Sequence, residues 1–171
     1  MEQQPIGVLV VDDSAVIRQM IFDGLCVAIG ISTGGPPVLA DLFEELCPPM
    51  PPIVVVQHMP AGFTKPFASR LDGLSRLSVK EAAQGDAYGP SVLGVIMTGM
   101  GRDGSDGCRA IRAAGGYVLG QDEATSDVYG MNKVAYVEGN VNRQFALDEA
   151  VQAIRKQLDR LQSARAPALW G

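Results

Sequence analysis

The stretch Val27-Ala28-Ile29-Gly30-Ile31-Ser32-Thr33-Gly34-Gly35 decides the fold. A short apolar run closes on Gly30-Ile31-Ser32-Thr33-Gly34, a Gly-x-Ser-x-Gly turn, and an amphipathic stretch follows. That order predicts a buried strand, a sharp turn carrying an exposed hydroxyl, and a helix. Glycine on both sides suits a tight turn in which a larger side chain would crowd the hydroxyl. The helix start adds N–H groups and the positive end of its dipole, which favour a developing oxyanion. Taken alone, the turn suits either a nucleophile or a Gly-rich loop that binds an anion or packs closely.

Outward from this turn, strand-like and helix-like segments alternate. Pro36 and Pro37 stand where the first turn of a helix accepts proline, and Val38, Leu39, Leu42, Phe43 and Leu46 recur at helical spacing. Pro48, Pro49, Pro51 and Pro52 end that helix. Ile53 to Val56 is wholly apolar and β-branched, the mark of a strand covered on both faces, and it runs into Gln57-His58-Met59-Pro60. A helix is expected over Pro66 to Leu77 and short strands over Val79 to Ala82 and Val92 to Met97. Thr98-Gly99-Met100-Gly101-Arg102-Asp103-Gly104 is read as a loop, followed by a helix through Cys108 and Ile111 that stops at Gly115-Gly116. Tyr117 to Gly120 reads as a strand, Ser126 to Val134 as a short helix, and Ala135 to Glu138 as extended. Leu147, Val151, Ile154, Leu158 and Leu161 form the apolar stripe of a last helix, with a frayed tail from Ala164. The expected fold is α/β: three layers, a mostly parallel sheet with helices on both faces.

Bulk properties narrow the function. At 171 residues and 47% hydrophobic content, one domain with a buried core is expected. A net charge of −5 without a basic run argues against nucleic acid. No metal site is expected from one histidine and from Cys26, Cys47 and Cys108 without ligand spacing; free thiols in a reducing cytoplasm are expected instead. No apolar run approaches the roughly 20 residues of a membrane helix, so a soluble cytoplasmic protein without membrane insertion is expected.

Ligands of parallel α/β sheets bind beyond the carboxyl ends of the strands, and three loops fall there: those of Ser32, His58 and Asp103. A serine hydroxyl needs a neighbouring base, and His58 is the sole histidine. The imidazole needs an anion to fix its tautomer; Asp103 suits that role, and Asp106, one helical turn later, is read as a capping or solvated residue.

Ile-Gly-Ile-Ser-Thr-Gly-Gly, Val-Val-Gln-His-Met-Pro-Ala-Gly-Phe-Thr, Val-Lys-Glu-Ala and Met-Thr-Gly-Met-Gly-Arg-Asp-Gly resemble the protein-glutamate methylesterase (CheB) family of bacterial chemotaxis. Gln-Asp-Glu-Ala and Tyr-Gly-Met continue the likeness, which runs from Cys26 to about Leu158. The resemblance implies a CheB catalytic-domain fold with Ser32 as nucleophile, His58 as general base and Asp103 as its partner. It also implies that Thr33 flanks the nucleophile and that the Met100 N–H is an oxyanion donor. The implied reaction is hydrolysis of glutamate methyl esters on methyl-accepting chemoreceptor signalling helices, and deamidation of receptor glutamines, without metal or organic cofactor.

Val-Leu-Val-Val-Asp-Asp-Ser near the start resembles the first strand of a response-regulator receiver of two-component signalling, which that family carries before its esterase domain. Residues 1–25 are accordingly read as a receiver remnant, with Asp12 and Asp13 a vestige of its acidic metal pocket, 26–161 as the catalytic domain and 162–171 as a tail. The family's longer insert is absent near 85–92, and Ile31 and Asn132 replace the usual alanine and proline. A shortened chain leaves a second reading: a catalytically impaired module that binds receptor or an anion.

Overall fold

The structure is a computed structural model and describes residues 7–11, 25–60, 62–81 and 91–165. Seven strands are named in chain order: β1 (Gly7–Val11), β2 (Leu25–Ile31), β3 (Ile53–Gln57), β4 (Ser78–Glu81), β5 (Ser91–Ile96), β6 (Tyr117–Gln121) and β7 (Arg143–Phe145). They form one sheet in the order β4-β1-β3-β2-β5-β6-β7, and every neighbouring pair is parallel. The helices are α1 (Gly35–Glu45), α2 (Thr64–Leu74), α3 (Asp103–Ala113), α4 (Met131–Val137) and α5 (Ala150–Arg165).

Period-2 alternation along the central strands sorts the helices onto two faces. Val27, Ile29 and Ile31 of β2, Ile53 and Val55 of β3, and Leu93 and Val95 of β5 share one core with Leu39, Phe43, Leu71, Ile154 and Leu158. α1, α2 and α5 therefore cover that face. On the other face, Ile96 and Val118 meet Cys108, Met131 and Ala135 of α3 and α4. The expected three-layer α/β architecture is present.

The strand that resembles a receiver's first strand lies in this same sheet. β1 pairs with β3 through Leu9↔Val54 and Val10↔Val55, and with β4 through Val8↔Val79. Asp12 and Asp13 lie outside the described residues.

Several expected boundaries move. α2 starts two residues early, at Thr64, and stops at Leu74; Asp72 Oδ1, in its last turn, accepts the Val79 N–H at 2.7 Å and leads the chain into β4. The helix expected from Ser126 begins only at Met131. Asp122 is the reason: its carboxylate accepts the Thr125 N–H and hydroxyl, and its carbonyl accepts the Ser126 hydroxyl, a turn that competes with helix. Ala135 to Val137, expected as extended, completes α4, which Gly139 closes at φ 75°. The final strand is instead Arg143–Phe145, and the last helix runs to Arg165.

Candidate active site

β2 and β3 are in register at Ile31↔Gln57, so Ser32 and His58 are the first residues beyond neighbouring strand ends. Both line one open cleft of about 540 Å³, together with Thr33, Gly34, Pro36, Gln57, Met59 and Pro60. The His58 N–H reaches back to the Ile31 carbonyl at 3.4 Å, which continues the ladder to the cleft edge. On the other side, the Ser32 N–H donates to the Thr98 carbonyl at 3.0 Å, beyond the end of β5. Ser32 thus sits between two strand ends, half-buried, and His58 is exposed. The hydroxyl and the imidazole share the cleft without a hydrogen bond between them. Such contacts often tighten only around a substrate.

The turn itself is tightly specified. Gly34, the N-cap of α1, has φ 81°, a conformation that disfavours any other residue. A Cβ there would also lie 2.3 Å from the Asp127 carboxylate, which packs against the turn. The Gly35 N–H returns to the Ser32 carbonyl at 2.8 Å. Gly99 backs onto the serine: a Cβ on Gly99 would lie 2.7 Å from Ser32 Cβ. Met100, read as an oxyanion donor, follows directly, with its side chain 67% exposed.

Asp103, read as a loop residue, is the first residue of α3, beyond the end of β5; its side chain lies outside the described residues. The start of α3 is tied to the end of α4. Arg102 donates to Glu138 Oε1 at 2.9 Å, and Ser105, fully buried, donates to Glu138 Oε2 at 2.7 Å. Asn140 donates to Ser105 Oγ at 3.1 Å. Asp106 pairs with Arg109 on the exposed face of α3, in keeping with a solvated residue.

Two residues escaped the sequence reading. Gln57, 2% exposed, donates its amide to the Ser32 carbonyl at 3.1 Å and to the His58 carbonyl at 3.0 Å. Thr98, fully buried, donates its hydroxyl to the Thr33 carbonyl at 2.9 Å and accepts the Val128 N–H. The available signal was polarity at core-facing positions, since Gln57 continues the face of Ile53 and Val55. Asn132, where the resemblance leads one to expect proline, is buried and donates to the Gln121 carbonyl and to Ser126 Oγ. Proline could make neither bond.

The three cysteines are free. Burial pushes the Cys26 and Cys108 thiols up to about 12. Among the described residues, no group of three metal-binding side chains occurs, and no helix is long and apolar enough to cross a membrane.

The family model for the CheB methylesterase matches residues 27–91 and 85–154. The chain belongs to the CheB methylesterase family. It is 39% identical to the protein-glutamate methylesterase/protein-glutamine glutaminase of Moorella thermoacetica, over 75% of this chain and 43% of that protein. A relative of the same name from Treponema denticola is 37% identical, over 76% of this chain and 49% of that protein. The crystal structure of the Thermotoga maritima CheB methylesterase catalytic domain superposes with a TM-score of 0.73 and 30% identity, over 80% of this chain and all of that one. The chain spans about half the length of the curated relatives it matches. The CheB model matches in two pieces that overlap at residues 85–91.

Proposed function

We propose that this chain hydrolyses methyl esters of protein glutamate side chains, with Ser32 as nucleophile, His58 as general base and Asp103 as the carboxylate that orients it. The observation that carries this reading is the register of β2 and β3, which delivers Ser32 and His58 to one cleft at the carboxyl edge of the sheet. Family membership supports it. Ser32 Oγ attacks the ester carbonyl carbon while His58 takes the hydroxyl proton. The oxyanion is held by backbone N–H groups of the Ser32-Thr33-Gly34 turn that leads into α1 and by that of Met100. Collapse of the tetrahedral intermediate expels methanol, which leaves with the proton from His58. Water, activated by His58, then attacks the acyl-enzyme and releases the glutamate. With a glutamine side chain, the leaving group is ammonia.

The partners of this reaction are the methyl-accepting helices of chemotaxis receptors, and its setting is the cytoplasm. Residues 1–25 descend from a receiver whose first strand, β1, now serves between β3 and β4. Residues 26–161 are the catalytic domain, shortened near 85–92. A fluorophosphonate probe tests the reading: it labels the wild-type chain on Ser32, and Ser32→Ala abolishes labelling. An unlabelled wild-type chain beside a labelled full-length relative contradicts it and favours a binding module.

A further inference from the structure

We propose that Gln57 is a positioning residue that sets the nucleophile turn and the base turn against each other; the inference rests on the hydrolase reading above. Its Nε2 donates to the carbonyls of both Ser32 and His58, the two residues whose side chains must meet. No other side chain among the described residues bridges the two turns. The amide is buried, so the geometry is shielded from competing water. Its orientation is unambiguous, because both partners are acceptors and only the NH₂ end can face them.

The other end of the amide is equally constrained. Gln57 Oε1 is buried without a hydrogen-bond partner and lies against Gly35, where a Cβ would stand 2.1 Å from it. An unsatisfied buried acceptor is unfavourable, and is retained where the amide's other end is needed. Gly35 is therefore required by Gln57, and the polar residue before His58 is required by the turn it serves.

The bridge also aims the oxyanion donors. In a trans peptide, the carbonyl and the following N–H point in opposite directions. Both peptides of the Ser32-Thr33-Gly34 turn are trans. The Ser32 carbonyl is held by Gln57 from the β3 side, and the Thr33 carbonyl by Thr98 from the β5 side. The Thr33 and Gly34 N–H groups are thereby turned away from those buried donors. Gln57 thus orients the base through its bond to His58 and a peptide donor through its bond to Ser32.

The test is the kinetics of fluorophosphonate labelling of Ser32 in Gln57→Met and Gln57→Glu, with Leu158→Ala as a core-destabilised control measured below its melting temperature. Gln57→Met should lower the maximal labelling rate on the order of 10- to 100-fold, since misplacement by about 1 Å can have that effect. The half-saturating probe concentration should change less than about twofold, because ground-state binding is untouched. For Gln57→Glu, the rate relative to wild type should rise as pH falls, because only the protonated carboxyl can donate to a carbonyl. In Gln57→Met, the ¹⁵N order parameters of Thr33 and Met59 should fall from about 0.85 towards 0.6, those of α3 staying unchanged. Unchanged rates and order parameters, or an equal rate loss in Leu158→Ala, overturn the inference. A wild-type chain that does not react overturns the hydrolase reading and the catalytic use of Gln57 with it; the order parameters then still decide whether the bridge holds the two turns.

Discussion

The bare backbone of Gly99 faces the Ser32 side chain: a Cβ on Gly99 would lie 2.7 Å from Ser32 Cβ and 2.9 Å from Met131 Cε. The methionine end can swing aside, but Ser32 Cβ is fixed by the Ser32 N–H bond to the Thr98 carbonyl. Gly99→Ala should therefore displace Ser32, the proposed nucleophile. We expect a loss of about 1–3 kcal/mol in stability, the usual range for overpacking. Labelling of Ser32 should slow by at least about tenfold. Denaturant melts and labelling kinetics check both; a variant of wild-type rate means that the turn absorbs the methyl group without moving Ser32.

The tie between α3 and α4 makes a graded prediction. Arg102 and Glu138 form an ion pair with 62% and 34% of their side chains exposed, so Arg102→Ala should destabilise by less than about 1 kcal/mol. Ser105 is fully buried with its hydroxyl bound to Glu138, and Asn140 binds the same hydroxyl. Ser105→Ala and Asn140→Ala strip a partner from buried polar groups and should each destabilise by about 1–3 kcal/mol. Because this tie anchors the helix that begins at Asp103, both should also slow Ser32 labelling more than Arg102→Ala does. Urea titration of the three variants gives the order; equal losses contradict it.

The thiols predict both reactivity and pH dependence. Cys26 and Cys108 are buried with pKa values raised to about 12, whereas Cys47 is half-exposed beside the Arg155 guanidinium at 2.9 Å. At pH 8 an aromatic disulfide reagent should titrate Cys47 in the folded protein, and Cys26 and Cys108 only after unfolding. A thiol whose folded pKa lies above its unfolded value of 9.0 holds its proton more tightly when folded. Between pH 9 and 12 the unfolded state binds fewer protons, so stability falls as pH rises, by up to about 1.4 kcal/mol per unit for each thiol. Cys26→Ala should flatten that limb, as read from melts across the alkaline range.

The α/β layering was legible because Val27–Ile29, Ile53–Val56 and Val92–Met97 are apolar runs too short for helices, each ending in a chemically distinctive loop. Ser32 and His58 could be paired from sequence alone, since parallel strands must deliver their following residues to one edge. Gln57 could not be read in this way: its partners are backbone carbonyls, which leave no trace in residue identity. The late start of α4 depended on an Asp122 turn that looks like ordinary helix-starting sequence. β7 is too short, at three residues, to show period 2. The strand character of Gly7–Val11 was visible, but its place between β3 and β4 is a long-range pairing that no local pattern encodes.

Methanol release from methylated chemoreceptor helices tests the central claim most directly. The wild-type chain should release methanol in step with new glutamate carboxylates. Ser32→Ala should reduce release to the rate without enzyme, and His58→Ala should reduce it by at least about 100-fold. Equal release by all three proteins would contradict the assignment of Ser32 and His58.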